Sequence, residues 1–289
     1  MKSKKIIILF FFFLISVIVA FGRFIMYQHS ETKKLIKAID NKDYETIESI
    51  SQKRNFNINR RPYFIKFFAT ATEQWNLPPL HYACVRDDLK AVEILIKYGA
   101  DVNLTIDDYS PILYCVRGSD ASNYDKIIDV LINNGANVSY KTKNNLSVLD
   151  FLLSGGSDYN ETYVNSQFEV FKKIIEIDNT LAYKELLRKE SIGSGNYLHR
   201  AVYFNNDKIV DYLINKLNFN VDEINLNNET SLMIAAKENN IETVKCLLNN
   251  NVNVTLKNND QKTALDLARD NGNFEIVELL ENTNISNSK

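Results

Sequence analysis

Histidine, cysteine, proline and glycine are all scarce in this 289-residue chain, which holds three histidines, three cysteines, four prolines, nine glycines and one tryptophan. Three histidines leave little raw material for an imidazole acid, base or metal site. An odd number of cysteines, Cys84, Cys115 and Cys246, is a poor disulfide framework. The few glycines form no phosphate loop. Gly155-Gly156 and Gly193-Ser194-Gly195 lack the lysine and the spacing that such a loop needs. Excess charge is missing as well. Lys and Arg total 34 against 36 Asp and Glu, a net charge of −2, so nothing electrostatic points to nucleic acid. The acidic pairs Asp87-Asp88 and Asp107-Asp108 fall at turns and lack the alternating oxygen ligands of a calcium loop. The sequence therefore predicts no enzyme: no catalytic residue, no cofactor and no metal site.

Apolar residues make up 45% of the chain and charged residues 24%, ordinary values for a folded protein. Asparagine is abundant and takes the turn positions that glycine leaves vacant. One long apolar run stands out. Ile6 to Phe21 is interrupted only by Ser16 and follows the basic start Lys2, Lys4 and Lys5. A run with no polar face does not fit a buried core helix. It predicts an N-terminal transmembrane or signal helix over residues 1–28. A spanning helix takes about 20 residues, which Ile6 to Tyr27 reaches only by including Arg23. The alternative is a cleaved signal peptide with Ala20-Phe21-Gly22 as its small-x-small site. The lysines place the amino terminus in the cytoplasm and send the rest of the chain across. The expected location is therefore a single-pass membrane protein with its folded domain on the far side, periplasmic if the source is bacterial. The alternative is a secreted protein.

The rest of the chain repeats. Thr230-Ser231-Leu232-Met233-Ile234-Ala235 matches Thr263-Ala264-Leu265-Asp266-Leu267-Ala268, and Asn240-Ile241-Glu242-Thr243-Val244 matches Asn273-Phe274-Glu275-Ile276-Val277. Thr263 follows Thr230 by 33 places, and Ala268 follows Ala235 by the same interval. The opening recurs as Pro78-Pro79-Leu80-His81-Tyr82-Ala83, Ser110-Pro111-Ile112-Leu113-Tyr114-Cys115, Ser147-Val148-Leu149-Asp150 and Asn196-Tyr197-Leu198-His199-Arg200-Ala201. A period near 33 with a T-P-L-H-x-A opening resembles the ankyrin repeat. Phe56-Asn57-Ile58-Asn59 stands where such a repeat carries Ala-Asp-Val-Asn, so Leu35 onward resembles a divergent first repeat.

The resemblance implies an all-α ankyrin solenoid of about six to seven helix-pair repeats over residues 31–282. Insertions fall near 60–76 and 154–195, and residues 283–289 form a disordered tail. In that family the imidazole at the fourth place ties the turn together, which assigns His81 and His199 to structure. Cys84 and Cys115 lie in adjacent repeats. Packed helices sit about 8–10 Å apart, beyond the roughly 7 Å that a disulfide spans. All three cysteines are expected to be small buried apolar residues.

The resemblance also implies a function: a scaffold that binds a partner protein on its concave face. The alternatives are a secreted effector and an accessory subunit or inhibitor of an enzyme. The chain is expected to be monomeric, to touch the membrane through its first helix, and not to bind nucleic acid. In such repeats the turn tip and the end of the first helix line the concave side. On the register of Thr230 and Thr263, the candidate partner-binding residues are Leu226, Glu229, Lys237, Asp260, Lys262 and Asp270. Matching places in other repeats hold Trp75, Leu77, Arg86, Tyr203 and Phe204. Trp75, Tyr203 and Phe204 are of the type that anchors interfaces. The competing expectation is that Trp75 packs under the 60–76 insertion, and Tyr203 and Phe204 under residues 179–191.

Overall fold

A computed structural model describes residues 2–62, 76–117, 123–153, 161–177, 186–187 and 195–287, with the side chains of the first helix described from Leu14 onward. Among the described residues every regular element is a helix. The extended pairings are two isolated bridges, Ile106 with Tyr109 and Ile224 with Thr230. The all-helical expectation holds. The chain divides into two compact units, Met1–Asn137 and Val138–Lys289.

In the first unit the helices are α1 (Lys2–Asp40), α2 (Tyr44–Ser51), α3 (Pro79–Val85), α4 (Leu89–Lys97), α5 (Pro111–Arg117) and α6 (Tyr124–Asn133). They form helix–turn–helix pairs. The inner members α1, α3 and α5 pack side by side, and so do the outer members α2, α4 and α6. Local chemistry sets each boundary. Pro79 and Pro111 open α3 and α5, where a missing N–H and a fixed φ suit the first turn. Asp88 caps α4 by accepting from the Ala91 N–H at 3.1 Å. Gly99, at φ +88°, stops it in the left-handed region that glycine tolerates. Between those ends Ala91, Val92 and Leu95 are fully buried, each large side chain worth about 1.5–3 kcal/mol relative to exposure.

The second unit holds α7 (Val148–Leu152), α8 (Glu161–Ile177), α9 (Tyr197–Tyr203), α10 (Asp207–Asn215), α11 (Ser231–Lys237), α12 (Ile241–Asn249), α13 (Ala264–Asp270) and α14 (Phe274–Asn287). Inner helices α9, α11 and α13 stack in order, and outer helices α8, α10, α12 and α14 stack behind them. The small residues at the crossings, Ala201, Ala235 and Ala268, are fully buried and let the paired helices approach. Thr263 caps α13 at the Asp266 N–H, and Asp266 returns a bond to the Thr263 N–H, at 3.2 and 2.9 Å. Asparagine fills the left-handed turns as expected: Asn205, Asn218, Asn239 and Asn251 all have φ between 53° and 59°.

The N-terminal expectation needs correction. Among the described residues no helix is long and apolar enough to cross a membrane, which goes against the single-pass membrane location. The physical reason lies in α1. The apolar run is not a separate segment: the helix that holds it also carries Arg23 and continues without a break through polar residues to Asp40. From Gln28 the same helix becomes part of the repeat stack. Gln28 donates to the Asn55 carbonyl and accepts from the Asn57 N–H. Glu31 pairs with Lys34 and Lys53. Leu35, Ile36 and Ile39 then enter the core.

Two further expectations fall outside the described residues. One is the packing of residues 179–191, of which only Leu186, buried, and Leu187, exposed, are described. The other is the packing of most of the 60–76 insertion.

Candidate functional site

In the second unit, three inner helices of seven residues end on equivalent positions: Tyr203 in α9, Lys237 in α11 and Asp270 in α13. All three are exposed, while the small residue two or three places earlier is buried. The turn tips preceding α11 and α13 are equally regular. Leu226, Asn227, Asn228 and Glu229 correspond to Asn259, Asp260, Gln261 and Lys262. Asn228 and Gln261 take φ of 56° and 60°, which turns each tip. The side chains of Asn225 and Asn258 hold the tips closed from within. Each accepts from the N–H groups two and four residues on, at 2.8–3.0 Å. Asn228 Nδ2 donates to Asn259 Oδ1 at 2.6 Å and ties one tip to the next.

One ion pair fixes how tip and helix end relate. Lys262 Nζ lies 2.8 Å from Asp270 Oδ2, so the tip and the inner-helix end of one repeat open on the same side. The bond to Asp270 holds the lysine pKa above its ordinary value. One repeat earlier the signs are reversed, Glu229 at the tip and Lys237 at the helix end, and no ion pair joins them. Glu229 accepts from Asn225 Nδ2 instead, at 3.1 Å. Asp260 is exposed at its tip.

Tyr203 is 54% exposed and Leu226 67% exposed, large fractions for such side chains. Phe204 is half-buried and meets Tyr203 edge to face, centroids 5.2 Å apart. Residues 179–191, under which Tyr203 and Phe204 are expected to pack, lie outside the described residues except for Leu186 and Leu187. Trp75 lies outside the described residues. Leu77 is buried at 7% exposure and belongs to the core rather than the open surface. Arg86 is exposed, its Nε 3.4 Å from Asp40 Oδ1.

Two of the three histidines are structural. His81 Nε2 lies 2.9 Å from the Leu104 carbonyl, and His199 Nε2 lies 3.0 Å from the Glu223 carbonyl, in each case in the segment that leads to the next repeat. Since carbonyls only accept, Nε2 is the donor in both contacts. Burial pushes the His81 pKa down to about 4. The thiols are free, with Cys84 and Cys115 buried and Cys246 half-buried. Burial, then Asp211 and Asp207, raises the Cys246 pKa to about 11. That thiol lines an open groove of about 690 Å³ between α8, α10 and α12, but it is protonated at neutral pH and no nucleophile. No cluster of His, Cys, Asp or Glu among the described residues could hold a metal ion.

One structural residue escaped the sequence reading. Arg200, in the fifth place of its opening motif, which varies from repeat to repeat in this chain, is buried. Its Nη1 lies 2.7 Å from Asp150 Oδ1 in the preceding inner helix, and Nη2 donates to the Asp150 carbonyl. The Asp150 carboxylate also accepts from the N–H and hydroxyl of Ser147, at 2.7 and 2.8 Å.

Comparison with known proteins agrees with this geometry. A family model described as ankyrin repeats (3 copies) matches residues 35–142 and 198–288. The ankyrin repeat protein FPV244 of Fowlpox virus (strain NVSL) is 34% identical over 120 residues. That match takes in 41% of this chain and only 15% of the viral protein. Among solved structures, the human ASB11 ankyrin repeat domain superposes with a TM-score of 0.60 at 19% identity, covering 85% of this chain and 96% of that one. A chain in the structure of Bd0816 predatory endopeptidase from Bdellovibrio bacteriovorus in complex with immunity protein Bd3460 gives 0.55 at 21% identity, covering 71% and 97%. At such identities the likeness is one of fold. Ankyrin-repeat domains are protein–protein interaction modules, in general without catalytic activity, and no catalytic family is indicated. With the family model matching more than half of its residues, in the places where the helix pairs stack, the chain belongs to the ankyrin-repeat family.

Proposed function

We propose that the chain binds a partner protein on the face formed by its inner-helix ends and turn tips. On this reading residues 31–282 are the binding domain. Tyr203, Phe204, Leu226, Glu229, Lys237, Asp260, Lys262 and Asp270 belong to the contact surface in the second unit, and Arg86 to that of the first. The observation that carries the reading is the exposure of Tyr203, Lys237 and Asp270 in register, with the Lys262–Asp270 pair placing tip and helix end on one side. Such a surface is held by helices on both flanks, so little ordering entropy is lost on binding. Large exposed aromatic and aliphatic side chains beside charged ones are the composition that makes binding hot spots.

A narrower form of the reading has the chain contact an enzyme as an accessory subunit or inhibitor. The likeness in fold to a chain from an endopeptidase–immunity protein complex supports it.

The test uses partner capture by the full chain from extracts of the cells that make it, with chemical crosslinking to retain weak complexes. Tyr203→Ala and Leu226→Ala should each reduce recovery of the same partner, by about 2 kcal/mol of affinity for a true hot spot. Their circular dichroism should stay unchanged. Full recovery with both variants would place the contact elsewhere.

A further inference from the structure

The composition of this face narrows the kind of partner, on the assumption that the face is the binding surface. Two large apolar side chains, Tyr203 and Leu226, stand open at one end, with Ile224 also 41% exposed. The charges around them are unbalanced. Lys262 and Asp270 satisfy each other at 2.8 Å. That leaves the carboxylates of Glu229, Glu238 and Asp260 against the ammonium groups of Lys237 and Lys257 on the same run of tips and helix ends. Lys237 forms no ion pair with Glu229, which is held instead by Asn225. A ligand can therefore meet these carboxylates without first breaking an internal salt bridge.

We propose that this end of the face takes a segment of a partner protein in which an aliphatic or aromatic side chain is flanked by lysine or arginine. The apolar residue covers Tyr203 and Leu226, and the basic residues lie against Glu229, Glu238 and Asp260. An acidic segment would meet like charge at the tips, which raises the free energy of the complex and selects against it.

A random peptide library displayed on phage, selected on the immobilised full chain, tests this directly. Enriched peptides should carry lysine or arginine around one large apolar residue. Synthetic copies should bind more weakly as salt rises, because exposed charges are screened over a Debye length of about 8–10 Å. Tyr203→Ala should lower their affinity roughly tenfold or more. The double variant Glu229→Gln, Glu238→Gln should weaken binding and flatten the salt dependence. These side chains are at the surface, so the variants keep the fold, which a thermal melt checks.

Enriched peptides that are acidic or uncharged, yet lost on Tyr203→Ala, would overturn the chemistry proposed here and leave the face intact as the binding surface. Peptides that bind every variant equally would overturn the face itself. No enrichment at all would count against a peptide-like segment and so against the proposal.

Discussion

At the scale of single residues, the buried pair of Arg200 and Asp150 is the sharpest feature of the second unit. Both side chains are almost fully withdrawn from water, at 1% and 5% exposure. Taking one partner away leaves a charge in a dry place, which typically costs about 3–5 kcal/mol. Arg200→Met should therefore lower the urea midpoint by a shift of that order, and a loss under about 1 kcal/mol would show that water reaches Asp150. The sequence offered no sign of this pair. Arg200 sits at a variable place of its motif, and its partner is 50 residues away. The roles of His81 and His199 were legible, because the family motif carries them. His81 also ties stability to pH. Its folded pKa of about 4 lies below the ordinary 6.5. The neutral ring thus contributes stability that is fully present above pH 6.5 and is lost as pH falls through 6.5 towards 4, about 3 kcal/mol in all. Chemical denaturation from pH 7.5 to pH 4.5 should show this slope in the wild type. In His81→Gln the chain should be weaker at neutral pH and its dependence on pH flatter. An equal slope in both would remove His81 as the cause.

At the scale of elements, the caps and the turns were readable and the joints between repeats were not. Thr230 and Thr263 announce α11 and α13 by sequence alone. Nothing in the sequence says that Asn240 Nδ2 crosses to the Val202 carbonyl, or that Asn273 Nδ2 crosses to the Ala236 carbonyl, both at 2.7 Å. These asparagines open outer helices and add a hydrogen bond to a carbonyl near the end of the inner helix one repeat earlier. The bridge needs an amide, since a carboxylate cannot donate. Asn240→Asp should destabilise the second unit by about 1 kcal/mol or more, because the bond is lost and a buried carboxylate then faces a carbonyl oxygen, although Val202 keeps the Asn205 N–H. Amide hydrogen exchange should then quicken first at the end of α9 and the start of α12. Unchanged protection there would mean that the bridge contributes nothing. The first helix was misjudged for a related reason. The sequence suggests an N-terminal helix over residues 1–28 and a separate first repeat from Leu35, whereas α1 continues through both. A lone glycine costs only about 1 kcal/mol inside a helix. The bonds that seat the middle of α1, from Gln28 to Asn55 and Asn57 and from Glu31 to Lys53, join residues too far apart in sequence to be seen.

At the scale of the whole molecule, the account is of a repeat protein whose work is contact. Among the described residues, His81 and His199 and several charged side chains serve turns, caps and ion pairs. Its thiols are at least partly covered. What remains open in register is the row of inner-helix ends and tips. The repeat register made that row legible in the sequence, although it could not tell that Leu77 would be buried or Tyr203 exposed. The most direct test of the central claim is a scan with a photo-crosslinking amino acid placed singly along the full chain in the cells that make it. Tyr203, Lys237 and Asp270 report on the inner face, and Glu242, Lys245 and Glu275 on the outer helices. The account predicts that one and the same partner protein is captured from the three inner positions and not from the outer ones. Capture from the outer positions alone, or equally from both sets, would contradict it.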